Sequence, residues 1–255
     1  MPTIAIVNQK GGSAKTAFAL HTIFRAVGRK QRTLAIDFDK QASLTRFFNA
    51  AADDGQATSA QCFEGPITAA PVKCGDYLDF LPADRALRLC SGAGAEAAVQ
   101  AAENVRELAA HYDVVIIDTP GALGEDATTY AALLSADSVL VPFAVGTIEA
   151  NALADLWECI EAIREQNAKL RVLGLLPSRI NTRSSIEVDA LREMREELGA
   201  LIVPHTLTDR SAVKQAIAQG VPVWRGTKGD GHLKAAREWG AACDWVLDNA
   251  QEIAA

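Results

Sequence analysis

The segment Asn8-Gln9-Lys10-Gly11-Gly12-Ser13-Ala14-Lys15-Thr16 brings backbone freedom, two ammonium groups and two hydroxyls together in nine residues. Paired glycines let successive N–H groups turn toward one point and form an anion-binding concavity. A helix that starts at the end of such a loop adds the partial positive charge of its N-terminus. In that geometry Lys15 would sit on the β- and γ-phosphates of a triphosphate, and the Thr16 hydroxyl would ligate Mg²⁺. The usual template, G-x-x-x-x-G-K-[ST], is not met, because Gln9 and Ala14 stand at its two glycine positions. What remains is Lys-Gly-Gly-x-x-Lys-Thr, with Lys10 ahead of the glycines. Alone, the segment could equally be a Gly-rich turn with two solvated lysines.

Two acidic segments follow in an order that favours the phosphate reading. Leu34-Ala35-Ile36-Asp37-Phe38-Asp39-Lys40-Gln41 ends a strand-like run with two carboxylates. Val114-Val115-Ile116-Ile117-Asp118-Thr119-Pro120-Gly121 ends another with one. Carboxylates at the C-terminal ends of strands, in register with a phosphate loop, can hold Mg²⁺-bound waters and orient an attacking water. An Asp-x-Asp at a strand end is also, by itself, a solvated turn or a helix cap. Gly121 stands where a loop sensing a terminal phosphate could approach closely.

Short β-rich runs alternate with helical patterns along the chain. Strands are expected at Thr3–Asn8, Thr33–Asp37, Tyr77–Leu81, Asp113–Asp118, Ser138–Pro142, Arg171–Leu176 and Leu201–Pro204. Several are continuously apolar, which suits strands covered on both faces of a parallel sheet. Helical stripes recur at Ala17, Leu20, Phe24 and Val27, at Leu153, Leu156, Trp157, Ile160 and Ile163, at Leu191, Met194 and Leu198, and at Leu233, Ala236, Gly240, Cys243 and Leu247. Trp157, Trp239 and Trp245 lie on these patterns and read as packing residues; Trp224 reads as core or edge packing. Residues 51–71, rich in small and polar residues, read as a loop. The alternation predicts a single-domain α/β fold over residues 1–255: a doubly wound, mostly parallel twisted sheet with helices on both faces.

Composition narrows the classes. The chain has 255 residues, of which 49% are hydrophobic and 22% charged, the profile of an ordinary soluble domain with a sizeable core. No run of about 18 apolar residues offers a membrane span, and the N-terminus lacks the basic n-region of a signal peptide. Five cysteines without a Cys-x-x-Cys and four scattered histidines suit reduced, mostly buried thiols in a cytoplasmic chain rather than disulfides or a metal cluster. The net charge of −7 is uneven: residues 1–50 carry eight Lys/Arg against two Asp/Glu, and six basic residues cluster between Arg210 and Arg237.

The Lys-Gly-Gly-x-x-Lys-Thr loop, the Asp37–Gln41 segment and the Asp118-Thr119-Pro120-Gly121 segment together resemble the deviant Walker A ATPases of the ParA/MinD family, P-loop NTPases in fold. The resemblance extends through Val141-Pro142-Phe143, Gly174-Leu175-Leu176, Asn181-Thr182-Arg183, Thr208–Val213 and Gly220–Val223. It implies ATP and Mg²⁺ as cofactors, with Gly11, Gly12, Ser13, Ala14, Lys15 and Thr16 around the phosphates. Lys10 would reach across a dimer interface to the partner's nucleotide. By the same resemblance Asp39 would position the attacking water, Thr16, Asp37 and Asp118 would serve the metal, and Asn181 with the neighbourhood of Pro204 would line the adenine site. Two departures stand out. Ala14 replaces a usual glycine, and a Cβ there would be strained by about 1 kcal/mol if the position needs positive φ. Lys40 replaces the usual proline of the switch segment and adds a charge near the site.

Within the family, the acidic tail 244–255 without Lys or Arg argues against a membrane-binding helix. No cysteine follows closely after Asp118 to bind a cluster, and no helix-turn-helix module precedes the first strand. The expectation is a small ParA-like switch for DNA partition or cargo positioning. Its ATP-bound homodimer would bind DNA without sequence preference through Arg183, Arg210, Lys214, Arg225 and Lys228, and so associate with the nucleoid. A ParB-like or adaptor protein would stimulate slow hydrolysis. The same basic residues could instead form a solvated helix face. Two other functions fit the fold: an ATP-dependent carboxylate-activating enzyme, and a nucleotide-binding module that has lost hydrolysis.

Overall fold

The computed structural model describes residues 1–8, 12, 14–121, 126–145, 150–225 and 228–254, without the side chains of 150–156. Strands β1 (Thr3–Ile6), β2 (Thr33–Asp37), β3 (Val72–Gly75), β4 (Leu78–Leu81), β5 (Val114–Asp118), β6 (Ser138–Phe143) and β7 (Arg171–Pro177) form one sheet in the order β3-β4-β2-β5-β1-β6-β7. All neighbouring pairs are parallel except β3 with β4. Helices α1 (Lys15–Gly28), α2 (Ser43–Phe48), α3 (Leu87–Cys90), α4 (Ala95–Ala109), α5 (Ala127–Ser135), α6 (Ala150–Arg164), α7 (Ser185–Leu198), α8 (Ser211–Ala218) and α9 (Gly229–Ala254) lie around it.

The apolar runs explain the two layers. In β5, Val115 and Ile117 point to one face while Val114 and Ile116 point to the other, and all four are buried. The first face packs on α4, α5 and the C-terminal half of α6; the second packs on α1, α8 and α9. Salt bridges join α1 to α9: Arg25 and Arg29 both reach Asp244, and Arg29 also reaches Asp248. Half-exposed ion pairs of this kind contribute little each. The apolar seam of Phe18, Ile23, Trp239, Cys243 and Val246 carries most of that contact.

Six of the seven expected strands form, with ends moved by one or two residues. Leu201–Pro204 does not. It enters a 3₁₀ turn at Gly199–Leu201, and Ile202 makes a single parallel bridge to Leu175. The segment passes so close to Gly174 that a Cβ there would lie 2.9 Å from both Leu201 O and Val203 Cγ2. The chain there meets β7 through isolated backbone hydrogen bonds, Val203 N–H to Leu175 O at 2.9 Å and Leu207 N–H to Pro177 O at 2.8 Å, in place of a ladder. The antiparallel edge strand β3 was not expected. It is short, half-exposed and irregular between Lys73 and Gly75. Within 51–71, Asn104 holds the loop by donating to Cys62 O and Gly65 O and accepting from Ile67 N–H. Along α9, Gly240, Cys243 and Leu247 face inward as read, but Leu233 is 46% exposed. Trp157, read as packing, is 36% exposed, and the side chains of Leu153 and Leu156 lie outside the described residues. None of the five cysteines forms a disulfide.

One buried polar group ties α1 to the loop between α8 and α9. His21 is fully buried; its Nδ1 lies 2.7 Å from Ala17 O, and its Nε2 accepts the Val223 N–H at 3.1 Å. The ring packs edge-on to Trp224 and tilted against Trp239. Accepting at Nε2 requires the neutral form, and burial pulls the pKa down to about 4, against the opposing pull of the Ala17 carbonyl. The unfolded chain, with an imidazole near pH 6.5, therefore takes up a proton between pH 6.5 and 4 that the folded chain does not. Stability should fall as pH drops through that window, by about 3 kcal/mol in all from this group. The buried carboxylates Asp37 and Asp118, whose pKa values are raised, act in the opposite direction over the same window, so the test is a difference. In urea unfolding at pH 7, 6, 5 and 4.5 the parent should lose stability relative to His21→Gln as pH drops, and parallel curves would remove His21 from the account.

Candidate phosphate and metal site

Three strand exits converge on one cleft because β2, β5 and β1 are adjacent and parallel. Asp37 and Asp118 are register partners at the ends of β2 and β5, and α1 begins at Lys15 just after β1. The cleft has a volume of about 500 Å³ and is lined by Gly12, Ala14, Lys15 and Thr16 on one side and by Asp39, Lys40, Pro120 and Gly121 on the others.

The two buried carboxylates differ in what surrounds them. Asp37 Oδ2 accepts the Thr45 N–H at 2.8 Å and the Thr45 hydroxyl at 2.7 Å, while Oδ1 accepts the Asp39 N–H at 3.1 Å. Burial still raises its pKa to about 6, against those hydrogen bonds. Asp118 is also fully buried, yet neither oxygen makes a hydrogen bond. Burial, then the Asp37 carboxylate, push its pKa well above the usual range. The Thr16 hydroxyl, from beyond hydrogen-bonding geometry, and the Lys15 ammonium oppose that rise. Lys15 is itself buried, and desolvation lowers its pKa while Asp118 and Asp39 hold it up. A dry carboxylate with two idle oxygens, facing a hydroxyl and an ammonium, is a donor set that fits a hard divalent cation bound through oxygen. Asp37, expected to support the metal, has both oxygens engaged by Thr45 and the Asp39 amide.

The loops around the cleft are held in unusual backbone conformations. Gly12 has φ +81°. Ala14, the residue that caps α1, has φ +69°, so the position does need the left-handed region that alanine disfavours. Ala42, before α2, has φ +53°. Asp39 is half-buried and closes its own turn by accepting the Gln41 N–H at 2.8 Å. Lys10, Gly11 and Ser13 lie outside the described residues.

A family model described as an AAA domain matches residues 1–172. Protein IncC of Escherichia coli is 30% identical over 97% of this chain and 69% of its own length. The chromosome partitioning protein ParA of Myxococcus xanthus is 30% identical over 80% of this chain and 75% of its own. The chain belongs to the ParA/MinD family of ATPases. Its P-loop NTPase fold agrees with a solved complex of a Cyanothece McdA variant with ATP, which overlays with a TM-score of 0.78 at 21% identity, covering 96% of each chain.

For a family member, the remaining expected residues divide in two. Asn181 is not in the phosphate cleft. Its side chain accepts the Arg183 N–H at 3.1 Å, and it borders a second cavity of about 330 Å³ closed by Thr208–Ala212 rather than by Pro204. Of the basic set, Arg183, Lys214, Arg225 and Lys228 are exposed. Arg210 is balanced inside the chain: its guanidinium donates to Glu238 at 2.8 and 3.3 Å. Lys214 lies 3.8 Å from Asp209.

Three contributing residues were not read from the sequence. Thr45 and Arg179 carry no motif of their own. Asp126 does carry one, since Asp-x-Thr ahead of an apolar run is a helix start; its carboxylate caps α5 by accepting the Thr128 N–H and hydroxyl, and it borders the cleft. Two expectations follow from the strain and the idle charge. Ala14→Gly should raise unfolding free energy by about 0.5–1 kcal/mol. Asp118→Asn should raise the melting temperature of the nucleotide-free protein at pH 7.5 while abolishing the further rise that Mg²⁺ with ATP gives the parent. Differential scanning fluorimetry measures both, and a destabilised Asp118→Asn would mean that the carboxylate already has a partner.

Proposed function

We propose that this chain is an ATP-dependent dimerisation switch of the partition and positioning class, with ATP and Mg²⁺ as its cofactors. The observation that carries the reading is Asp118, a fully buried carboxylate without a hydrogen bond among the described residues, facing Lys15 and Thr16, which line the cleft where α1 begins. Lys15 and the N-terminal amides of α1 hold the β- and γ-phosphates, and the low-dielectric setting strengthens that attraction. Thr16 and Asp118 hold the Mg²⁺, which when bound neutralises phosphate charge in the reaction. Asp37 keeps the turn from Asp39 to Thr45 in place, and Asp39 orients the attacking water.

Lys10 joins two subunits by reaching the partner's nucleotide, so dimerisation depends on the triphosphate. Hydrolysis is slow until an adaptor or ParB-like protein stimulates it, because a switch needs a long-lived bound state. The ATP dimer binds DNA without sequence preference and thereby associates with the nucleoid. Arg183, Arg225 and Lys228 supply the freest charges, with Lys214 partly offset by Asp209 and Arg210 held by Glu238. A modest patch on each subunit becomes effective when two are joined. Among the described residues no helix is long and apolar enough to cross a membrane.

Lys15→Ala should abolish ATP binding in calorimetry. Lys10→Ala should bind ATP yet remain a monomer in ultracentrifugation. Binding to random-sequence DNA should require ATP and weaken with salt, and Arg225→Glu should lower the slope of log K against log salt by about 1 or more. An ATP-independent oligomer unaffected by Lys10→Ala would instead favour a carboxylate-activating enzyme on the same fold.

A further inference from the structure

We propose that Arg179 is a positioning residue for the phosphate loop, its guanidinium latching the Gly12 carbonyl and holding the loop ready for a polyphosphate. This rests on the reading of the cleft as the nucleotide site. Arg179 follows β7 as an exposed residue between two buried ones. On one side, the N–H and hydroxyl of Ser178 both donate to Phe143 O, at 2.6 and 3.0 Å. On the other, the Ile180 N–H donates to Leu207 O at 3.1 Å, and Ile180 O accepts the Asp209 N–H at 3.0 Å. With its neighbours fixed to different segments, Arg179 is held at φ +57°, a conformation a long L side chain seldom adopts.

That conformation aims the side chain at the loop. Arg179 Nη1 donates to Gly12 O at 2.7 Å, joining residues 167 apart in sequence. Gly12 is itself left-handed, where an L side chain is strained, and a Cβ added there would lie 3.3 Å from the same Nη1 and crowd the guanidinium. No carboxylate pairs with Arg179 among the described residues. The fork thus has a neutral acceptor, keeps most of its five donors and leaves its full charge at the lip of the cleft. Strain kept in place by surrounding hydrogen bonds, and directed at a Gly-rich loop, is the pattern of a preorganised site.

A latch that shapes the loop acts equally on every nucleotide the loop holds. Its loss should therefore weaken ground-state binding and leave the chemical step alone. Arg179→Gly separates strain from contact, because glycine accepts φ +57° without cost. We expect this variant to melt at or above the parent temperature. Its dissociation constants for ADP and for a non-hydrolysable ATP analogue, each with Mg²⁺, should rise by a common factor of about ten, the size of one charged hydrogen bond at an exposed site. KM should rise in step while kcat at saturation stays within about twofold, and Arg179→Lys should recover part of the affinity. Unchanged affinities in Arg179→Gly would overturn the proposal. A loss confined to the triphosphate would overturn it too, by making Arg179 a γ-phosphate contact. A parent protein that binds neither nucleotide would overturn the reading of the cleft itself, a failure distinct from the other two.

Discussion

Two carboxylates at the ends of neighbouring parallel strands, both removed from water, are the constraint around which the site is arranged. Burying an ionised group is costly unless charge or hydrogen bonds compensate. The chain treats the two in opposite ways. Asp37 is enclosed by Thr45 and by the Asp39 amide, and Thr45 is in turn tied to the Ala83 N–H. Among the described residues neither Asp118 oxygen accepts a hydrogen bond, and the carboxylate faces Lys15 and Thr16 as well as the carboxylates of Asp37 and Asp39. One carboxylate therefore fixes a turn, while the other retains its capacity for a cation. Their register pairing across β2 and β5 ensures that neither can shift without the other.

The rest of the second face follows from where α1 must start. Lys15 and Thr16 open the helix at the cleft, and the same helix carries Phe18, His21, Ile23 and Arg25 away from it, with Arg29 just past its last turn. Those residues receive α9 through the apolar seam and the Arg–Asp clamps, and they receive the loop at Val223–Trp224 through the His21 imidazole and a cation–π contact from Arg25. The exposed Arg225 thus hangs from a segment anchored directly to the phosphate-loop helix. Acidic neighbours trim the patch: Glu238 takes Arg210 and Asp209 lies beside Lys214.

The parallel core and the phosphate loop were legible because each rests on local, repeated chemistry. Val114–Ile117 must be covered on both faces, and Lys-Gly-Gly-x-x-Lys-Thr before a helical stripe has few uses. The failures have a common cause in contacts distant along the chain. Leu201–Pro204 has strand composition, but it meets β7 through one bridge at Ile202 and a close approach to Gly174 rather than a continuous ladder. Asp37 and Asp118 look alike in sequence; what sets their surroundings apart is the Asp39 amide and Thr45, the latter eight residues beyond Asp37. Arg210 reads as a free cation until α9 brings Glu238 against it.

The places where local rules are broken show which part of the molecule is shaped for something other than stability. Non-glycine residues with left-handed backbone among those described are Ala14, Lys30, Ala42, Asn49 and Arg179. Lys30 and Asn49 lie just past the last turns of α1 and α2, where a left-handed residue ends a helix at little cost. The other three lie at or beside the segments that form one cleft, and Lys15 and Thr16 of that cleft face the buried Asp118. The two apolar layers, by contrast, follow their expected periodicity almost throughout. Strain and idle charge confined to one place, in a chain otherwise locally consistent, are what a preorganised site requires, since relief of either would stabilise the empty protein at the expense of the state it is built to bind.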